Sequence, residues 1–168
     1  MKEMINGKLF SVFGGAALLE YSVGGVEITN DTFMGRNRSS WTQLSTVYGM
    51  RSLKITVVFT GPDLNRVTLQ KSQFDAQCFG KIELFLPDGF FYSCNTNSIG
   101  DAAVVGIGAT SAMIKAEYSF NGVRHGPLKT VASASVYCES TLPFTDCVLS
   151  CTVGATAASY VLGGAVFS

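Results

Sequence analysis

A mainly β fold with one α-helix is what this chain predicts, and three observations carry the reading. RSLKITVVF (51–59) sets Leu53, Ile55, Val57 and Phe59 against Ser52, Lys54, Thr56 and Val58. AMIKAEYSF (112–120) does the same with Ile114, Ala116, Tyr118 and Phe120 against Met113, Lys115, Glu117 and Ser119. Period-two runs of this length mark half-buried strands. KIELFLPDGFFYSC (81–94) adds a hairpin built around a Pro-Asp-Gly turn, whereas only residues 60–80 carry the signals of a helix.

Size and composition bound what such a fold can do. A chain of 168 residues suits one domain, or one domain plus a piece of another. Chains of this size bury roughly 70% of their unfolded surface, so a real core is available. Charged residues are only 14% and apolar residues 47%, against a usual charged share of about 25%. A chain so poor in charge should bury much of its surface, part of it against other subunits. No apolar run is long enough for a transmembrane helix, so no membrane association is expected. The formal net charge is zero and the Lys and Arg residues are scattered, which argues against specific binding to nucleic acid.

In chain order, LFSVFGGAALL (9–19) resembles a short signal-peptide core, but Glu3 spoils the region before it. The segment is read as a strand and a glycine turn. LLEYSV (18–23) and VEITND (26–31) flank Gly24-Gly25, which predicts a two-residue hairpin. Residues 34–50 have no clean period, and a long functional or mobile loop is expected there. It holds Trp41, the only tryptophan, and Arg36 and Arg38, read as solvated or paired across a subunit contact. In 60–80, Pro62 stands near the first helical position, Asp63 in the first turn, and Gly80 where a left-handed terminal residue is wanted. Leu64, Val67, Phe74 and Cys78 share one helical face, interrupted by Lys71, and that face should cover a sheet.

In LPDGF, Pro87 and Asp88 fit the centre of a type I turn and Gly89 the left-handed bulge position. This register pairs Leu86 with Phe90, Leu84 with Tyr92 and Ile82 with Cys94 on one apolar face. The other face has Glu83 opposite Ser93 and Phe85 opposite Phe91. Two phenylalanines are worth roughly 1.5–3 kcal/mol each when buried, so something must cover them: the chain's own second layer, such as the helix, or another molecule. DAAVVGIGATSA (101–112) holds Gly106 and Gly108, but a strand follows where a dinucleotide site needs a helix. NGVRHGP (121–127) punctuates the chain. Beyond it, 130–138, 144–153 and 158–167 are each a candidate strand, too few for a robust domain of their own.

No constellation for chemistry emerges. The five cysteines, Cys78, Cys94, Cys138, Cys147 and Cys151, are odd in number and read as packed free thiols. Cys147 and Cys151 on one strand would lie ~13 Å apart, too far for a disulfide or a shared metal. A Ser-His-Asp or Cys-His arrangement would have to use His125, the sole histidine, in a glycine-proline linker. No enzyme activity, cofactor or metal is expected.

The run RSLKITVVFTGPDLNRVTLQKSQFDAQCFGKIELFLPDGFFYSCNTNSIGDAAV, then IKAEYSFNGVRHGP, resembles the N-terminal domain of the siphophage distal tail proteins, the Dit family. Carrying the resemblance are Leu53–Phe59, Pro62–Phe79, Ile82–Cys94, Ile114–Phe120, the exit Arg124-His125-Gly126-Pro127 and the opening Ile5-Asn6-Gly7-Lys8. It implies a tail-tube-like β-sandwich over 1–127 that forms a hexameric ring with a central channel. The ring joins the tail tube to the tail-tip or baseplate hub proteins, with the tape measure protein as a further partner. The implied location is the virion tail, assembled in the host cytoplasm. Residues 128–168 then look like the truncated start of a galectin-like β domain. Lys54, Thr56, Lys115, Glu117 and Ser119 are the candidate channel face, and Phe85, Phe91 and Trp41 the candidate subunit contacts. The rivals are a tail tube or tail terminator subunit and a carbohydrate-binding β-sandwich module.

Overall fold

Alternating apolar residues build one antiparallel sheet in the computed structural model, which describes residues 2–34, 41–127, 160–162 and 165–167. Its strands are β1 (Met4–Ile5), β2 (Lys8–Leu9), β3 (Ala17–Met34), β4 (Trp41–Gly61), β5 (Lys81–Phe85), β6 (Phe91–Ile99), β7 (Ala103–Ile107) and β8 (Ala112–His125). They lie in the order β2-β1-β5-β6-β8-β4-β3, with β7 also paired to β8. One helix, α1 (Leu64–Asp75), joins β4 to β5. The mainly β class with a single helix is as expected. Contacts divide the chain into Met1–Leu128 and Lys129–Ser168. In the second part β9 (Tyr160–Leu162) and β10 (Ala165–Phe167) pair antiparallel. The single strand expected over 158–167 is therefore a small hairpin. The strands expected at 130–138 and 144–153, with Cys138, Cys147 and Cys151, lie outside the described residues.

The period-two runs point as predicted. Leu53, Ile55, Val57 and Phe59 of β4, and Ile114, Ala116, Tyr118 and Phe120 of β8, are all buried in one core. Ile82 and Leu84 of β5 and Tyr92 and Cys94 of β6 join them. From α1 come Val67 and Phe74, followed by Cys78 from a short 3-10 turn, Ala76–Cys78. Phe74 is the hub: its ring meets Phe10, Phe13, Phe59 and Tyr118 with centroids 5.0, 5.4, 5.7 and 5.1 Å away. Such edge-on contacts add to simple area burial.

Polar groups fix the helix to the sheet. Asp63 is the N-cap rather than a first-turn residue, and its carboxylate accepts the Arg66 N–H at 2.8 Å. Leu64 turns outward and is exposed; Gln70 takes the buried place instead. Lys71, which broke the predicted apolar face, bridges to Asp75 at 2.7 Å, with its ammonium 5.9 Å from the centre of the Tyr118 ring. The Tyr118 hydroxyl donates to the other Asp75 oxygen at 2.8 Å. Burial first, then this bond and the Asp75 charge, push the Tyr118 hydroxyl far up from its ordinary value. Burial likewise pushes the free thiols of Cys78 and Cys94 up to about 12.

Two expectations fail in β3 and β4. Gly24-Gly25 is not a hairpin turn. β3 runs straight through it, with Val23 opposite Leu53 and Val26 opposite Arg51, so the extra residue is absorbed as a bulge. Neither glycine has a positive φ; Gly24 is needed for close approach, since a Cβ there would stand 3.2 Å from the Ser52 carbonyl oxygen. Nor does the long loop expected over 34–50 take in 41–50: Trp41–Met50 is the first half of β4, paired with β3 out to Met34 opposite Trp41. The expected linker at 121–127 is also mostly strand, because β8 continues to His125.

Candidate assembly surface

Apart from the two-residue β2, the sheet has two edges that pair with nothing among the described residues. One is the outer edge of β3, 18 residues long. The other is formed end to end by the last residues of β6 and by β7, which share β8 as their neighbour. β5 pairs β6 only as far as Asn95, so Asn97–Ile99 is open beyond it. Unpaired N–H and C=O rows of this kind are templates for another strand.

Beyond Arg51, β4 leaves β8 behind and continues with β3 alone as a two-stranded arm. Ile28, Tyr48 and Met34 are exposed on one face of the arm, Val47 and Phe33 on the other. On the first face the Thr46 hydroxyl donates to Asn30 Oδ1 at 2.9 Å, and the Gln43 amide bonds to both. A ribbon of two strands with oily side chains on both faces has no core of its own. At the opposite end of the sheet Val104, Val105 and Ile107 of β7 are exposed as well.

The predicted polar face comes together. Across β4 and β8, Lys54 stands opposite Ser119, Thr56 opposite Glu117 and Val58 opposite Lys115. All point away from the core, and Lys54, Lys115 and Glu117 are exposed. The Ser119 and Ser98 hydroxyls bond at 2.6 Å, carrying the face onto β6. β3 extends it with Glu20 opposite Thr56 and Ser22 opposite Lys54. Those two were not picked from the sequence, because a bulge at Leu19 shifts the alternation of β3.

The hairpin takes the predicted register: Ile82 faces Cys94, Glu83 Ser93, Leu84 Tyr92 and Phe85 Phe91. Gly89 has φ +84°, the Gly89 N–H bonds to the Leu86 carbonyl at 3.0 Å, and Tyr92 donates to the Asp88 carboxylate. The aromatic pair is largely closed off within the chain. Phe85 is 4% exposed, flanked by Met4 on β1 and by Phe91, with ring centroids 4.8 Å apart. The N-terminal ribbon that supplies this cover is tied down at Asn6, whose N–H donates to the Glu83 carbonyl and whose Oδ1 accepts the Glu83 N–H. Phe85 is thus not free to meet a second subunit. Phe91 stays half-buried, with His125 stacked on it at 5.6 Å and the His125 Nε2 3.8 Å from Glu83. Phe90, expected on the apolar inner face with Leu86, lies outside beneath the Arg124 guanidinium, 4.4 Å away. The Trp41 side chain, Arg36 and Arg38 lie outside the described residues.

Among the described residues no three His, Cys, Asp or Glu side chains converge as a metal site, and no helix is long and apolar enough to cross a membrane. No protein-family model matches the chain, and no curated protein does. Its fold is similar to that of the Dit protein of phage SPP1, described as a paradigm of the hub adsorption apparatus in phages infecting Gram-positive bacteria. The TM-score is 0.55 at 11% identity, over 75% of this chain and 52% of the phage protein. This chain therefore spans about half of that structure. A subunit of the tail of an empty GTA particle, refined with C6 symmetry, matches over 74% of this chain and 95% of its own, at 17% identity and TM-score 0.38.

Proposed function

We propose that this chain is a structural, non-catalytic subunit of a phage-type tail. Copies join sheet edge to sheet edge into a ring around a channel, and the ring connects the tail tube to the tail tip or baseplate. The observation that carries the reading is the pair of open edges. Strands β3, β4 and β8 alternate in direction, and β7 and the end of β6 both run against β8, so the two open edges run oppositely. A copy added by rotation alone brings its β3 antiparallel to the edge made by the β6 end and β7, and the alternation continues. One face of the closed sheet is then Glu20, Ser22, Lys54, Thr56, Lys115, Glu117 and Ser119, a wet lining for a channel. The exposed arm gains its cover from neighbouring copies.

The fold shared with the SPP1 Dit protein supports the placement at the hub end of a tail, and six copies is the number that the family resemblance implies. The partners in this reading are the tail tube protein above and the hub proteins below.

Native mass spectrometry and light scattering test the reading, with negative-stain images of the same sample. Hexamers or twelve-mers, seen as single or paired rings, are expected. Long stacked tubes would reassign the chain to the tail tube, and a clean monomer at micromolar concentration would overturn a ring that forms unaided.

A further inference from the structure

Phe79 is 74% exposed, the most exposed large apolar side chain among the described residues. Its position has a local cause. Cys78, at the end of the 3-10 turn, points into the core, and Gly80 with φ +80° folds the chain back into β5, so Phe79 is left outside. The corner is held in place, because the Thr96 hydroxyl bonds to the Cys78 carbonyl. Between Phe79–Lys81 and the open edge of β6 at Asn97–Ile99 lies a groove of about 580 Å³. On the opposite edge of the sheet the β3 bulge thrusts out Leu19, 64% exposed.

The two features lie at the same height. Leu19 falls between Leu18, opposite Val57, and Glu20, opposite Thr56, and those β4 residues face Ala116 and Glu117 of β8. At the near end of the groove Ser98 and Ile99 face Ser119 and Tyr118, and at its far end Asn95 and Thr96 face Asn121 and Phe120. Measured along β8, the knob is within about two residues, roughly 7 Å, of the groove's near end. We infer that the groove beside Phe79 seats the Leu19 bulge of an adjacent copy, a knob-and-socket contact that sets the register of one subunit against the next. The inference rests on the proposed ring. It adds what open edges alone leave undetermined, since a strand edge can slip by pairs of residues unless a side chain fixes it.

Both side chains are exposed in the single subunit, so Phe79→Asp and Leu19→Asp should leave its thermal melting unchanged. Each should weaken association by about ten-fold or more, the behaviour of a central apolar contact. Combining them should add little to either alone, because both remove the same contact. Oxidising a Phe79→Cys/Leu19→Cys variant should give covalent dimers and higher ladders on a denaturing gel, absent from either single variant treated alike. Rings that assemble normally with Phe79→Asp, and no ladder from the paired cysteines, would overturn the socket and leave the ring reading standing. A wild-type chain that stays monomeric would overturn both.

Discussion

Asp75 is a test of how the helix is held to the sheet that carries the proposed channel face. One of its oxygens accepts the Tyr118 hydroxyl at 2.8 Å and the other meets Lys71 at 2.7 Å. Tyr118 is buried, so its hydroxyl finds no water in exchange. Asp75→Ala leaves that donor without an acceptor and takes the partner from a Lys71 side chain only 12% exposed. Hydrogen bonds to charged groups are worth about 1.5–3 kcal/mol, and an orphaned buried polar group costs about 1–3 kcal/mol. The expected loss is about 2–3 kcal/mol. Tyr118→Phe removes the donor but leaves Asp75, 22% exposed, paired with Lys71, so it should cost about 1 kcal/mol. In the double variant nothing is left unpaired at Tyr118, and the loss should fall short of the sum by about 1–2 kcal/mol. Urea titrations at one fixed protein concentration measure this as midpoint shifts with unchanged slope. Additivity within about 0.3 kcal/mol would refute the claim that the two side chains act as one unit.

Alkali should destabilise the fold steeply. Cys78 and Cys94 are raised from 9.0 to about 12, and the Tyr118 and Tyr92 hydroxyls are raised as well. The unfolded chain then releases these protons first, so stability is intact below the unfolded values and falls as pH rises from about 9 towards 12, by up to about 1.4 kcal/mol per pH unit per group. Urea midpoints between pH 7 and 11 measure the slope, and Cys78→Ala/Cys94→Ala should flatten it. Gly122→Ala should lower the melting temperature and cost about 1–3 kcal/mol, because its Cβ would stand 2.7 Å from the Ser93 carbonyl oxygen. Asp63→Ala should cost about 1 kcal/mol in the same melting assay, while Asp63→Asn, which keeps an acceptor for the Arg66 N–H, should be near neutral.

What could be read from the sequence is what local rules determine. The β4 and β8 alternations, the presence of a helix after Pro62 and the hairpin pairs from Ile82–Cys94 to Phe85–Phe91 follow from side-chain period and turn chemistry and hold, whereas Leu64 and Phe90 turn outward. Less legible was everything set by bulges or by distant neighbours. TQLSTVYGM has no period because β4 carries an irregularity opposite Asp31–Thr32 and another opposite Val26–Ile28. Each slips the inside-outside alternation, so a paired strand reads as loop. Gly24-Gly25 misled for the related reason that a glycine pair serves a bulge as well as a turn. The cover over Phe85 comes from Met4 and β1, a two-residue strand too short to show any period. Phe79 lies off the predicted helical face of Leu64, Val67, Phe74 and Cys78, but its place beside the β6 edge is set by the 3-10 ending of α1, and no sequence period announces such an ending.

Where the apolar surplus lies decides what kind of assembly the subunit can build. Had the sheet face carrying Phe85 and Phe91 been bare, copies would most readily stack face to face. Instead Phe85 is tucked in beside the chain's own N-terminal ribbon, the rest of that face is the polar one of Lys54, Lys115 and Glu117, and the inner face is a core around Phe74. Exposed apolar residues at or near the open edges are Leu19 on β3, the β3–β4 arm, β7 and Phe79 beside the β6 edge. Association strand to strand buries the residues beside the edges and satisfies backbone donors and acceptors at the same time. Edge addition by a repeated rotation gives a ring where the rotation closes and a filament where it does not, whereas stacking through one two-fold face ends at a dimer. A dimer that buried the Phe91 face while leaving Leu19 and Phe79 exposed would contradict this argument.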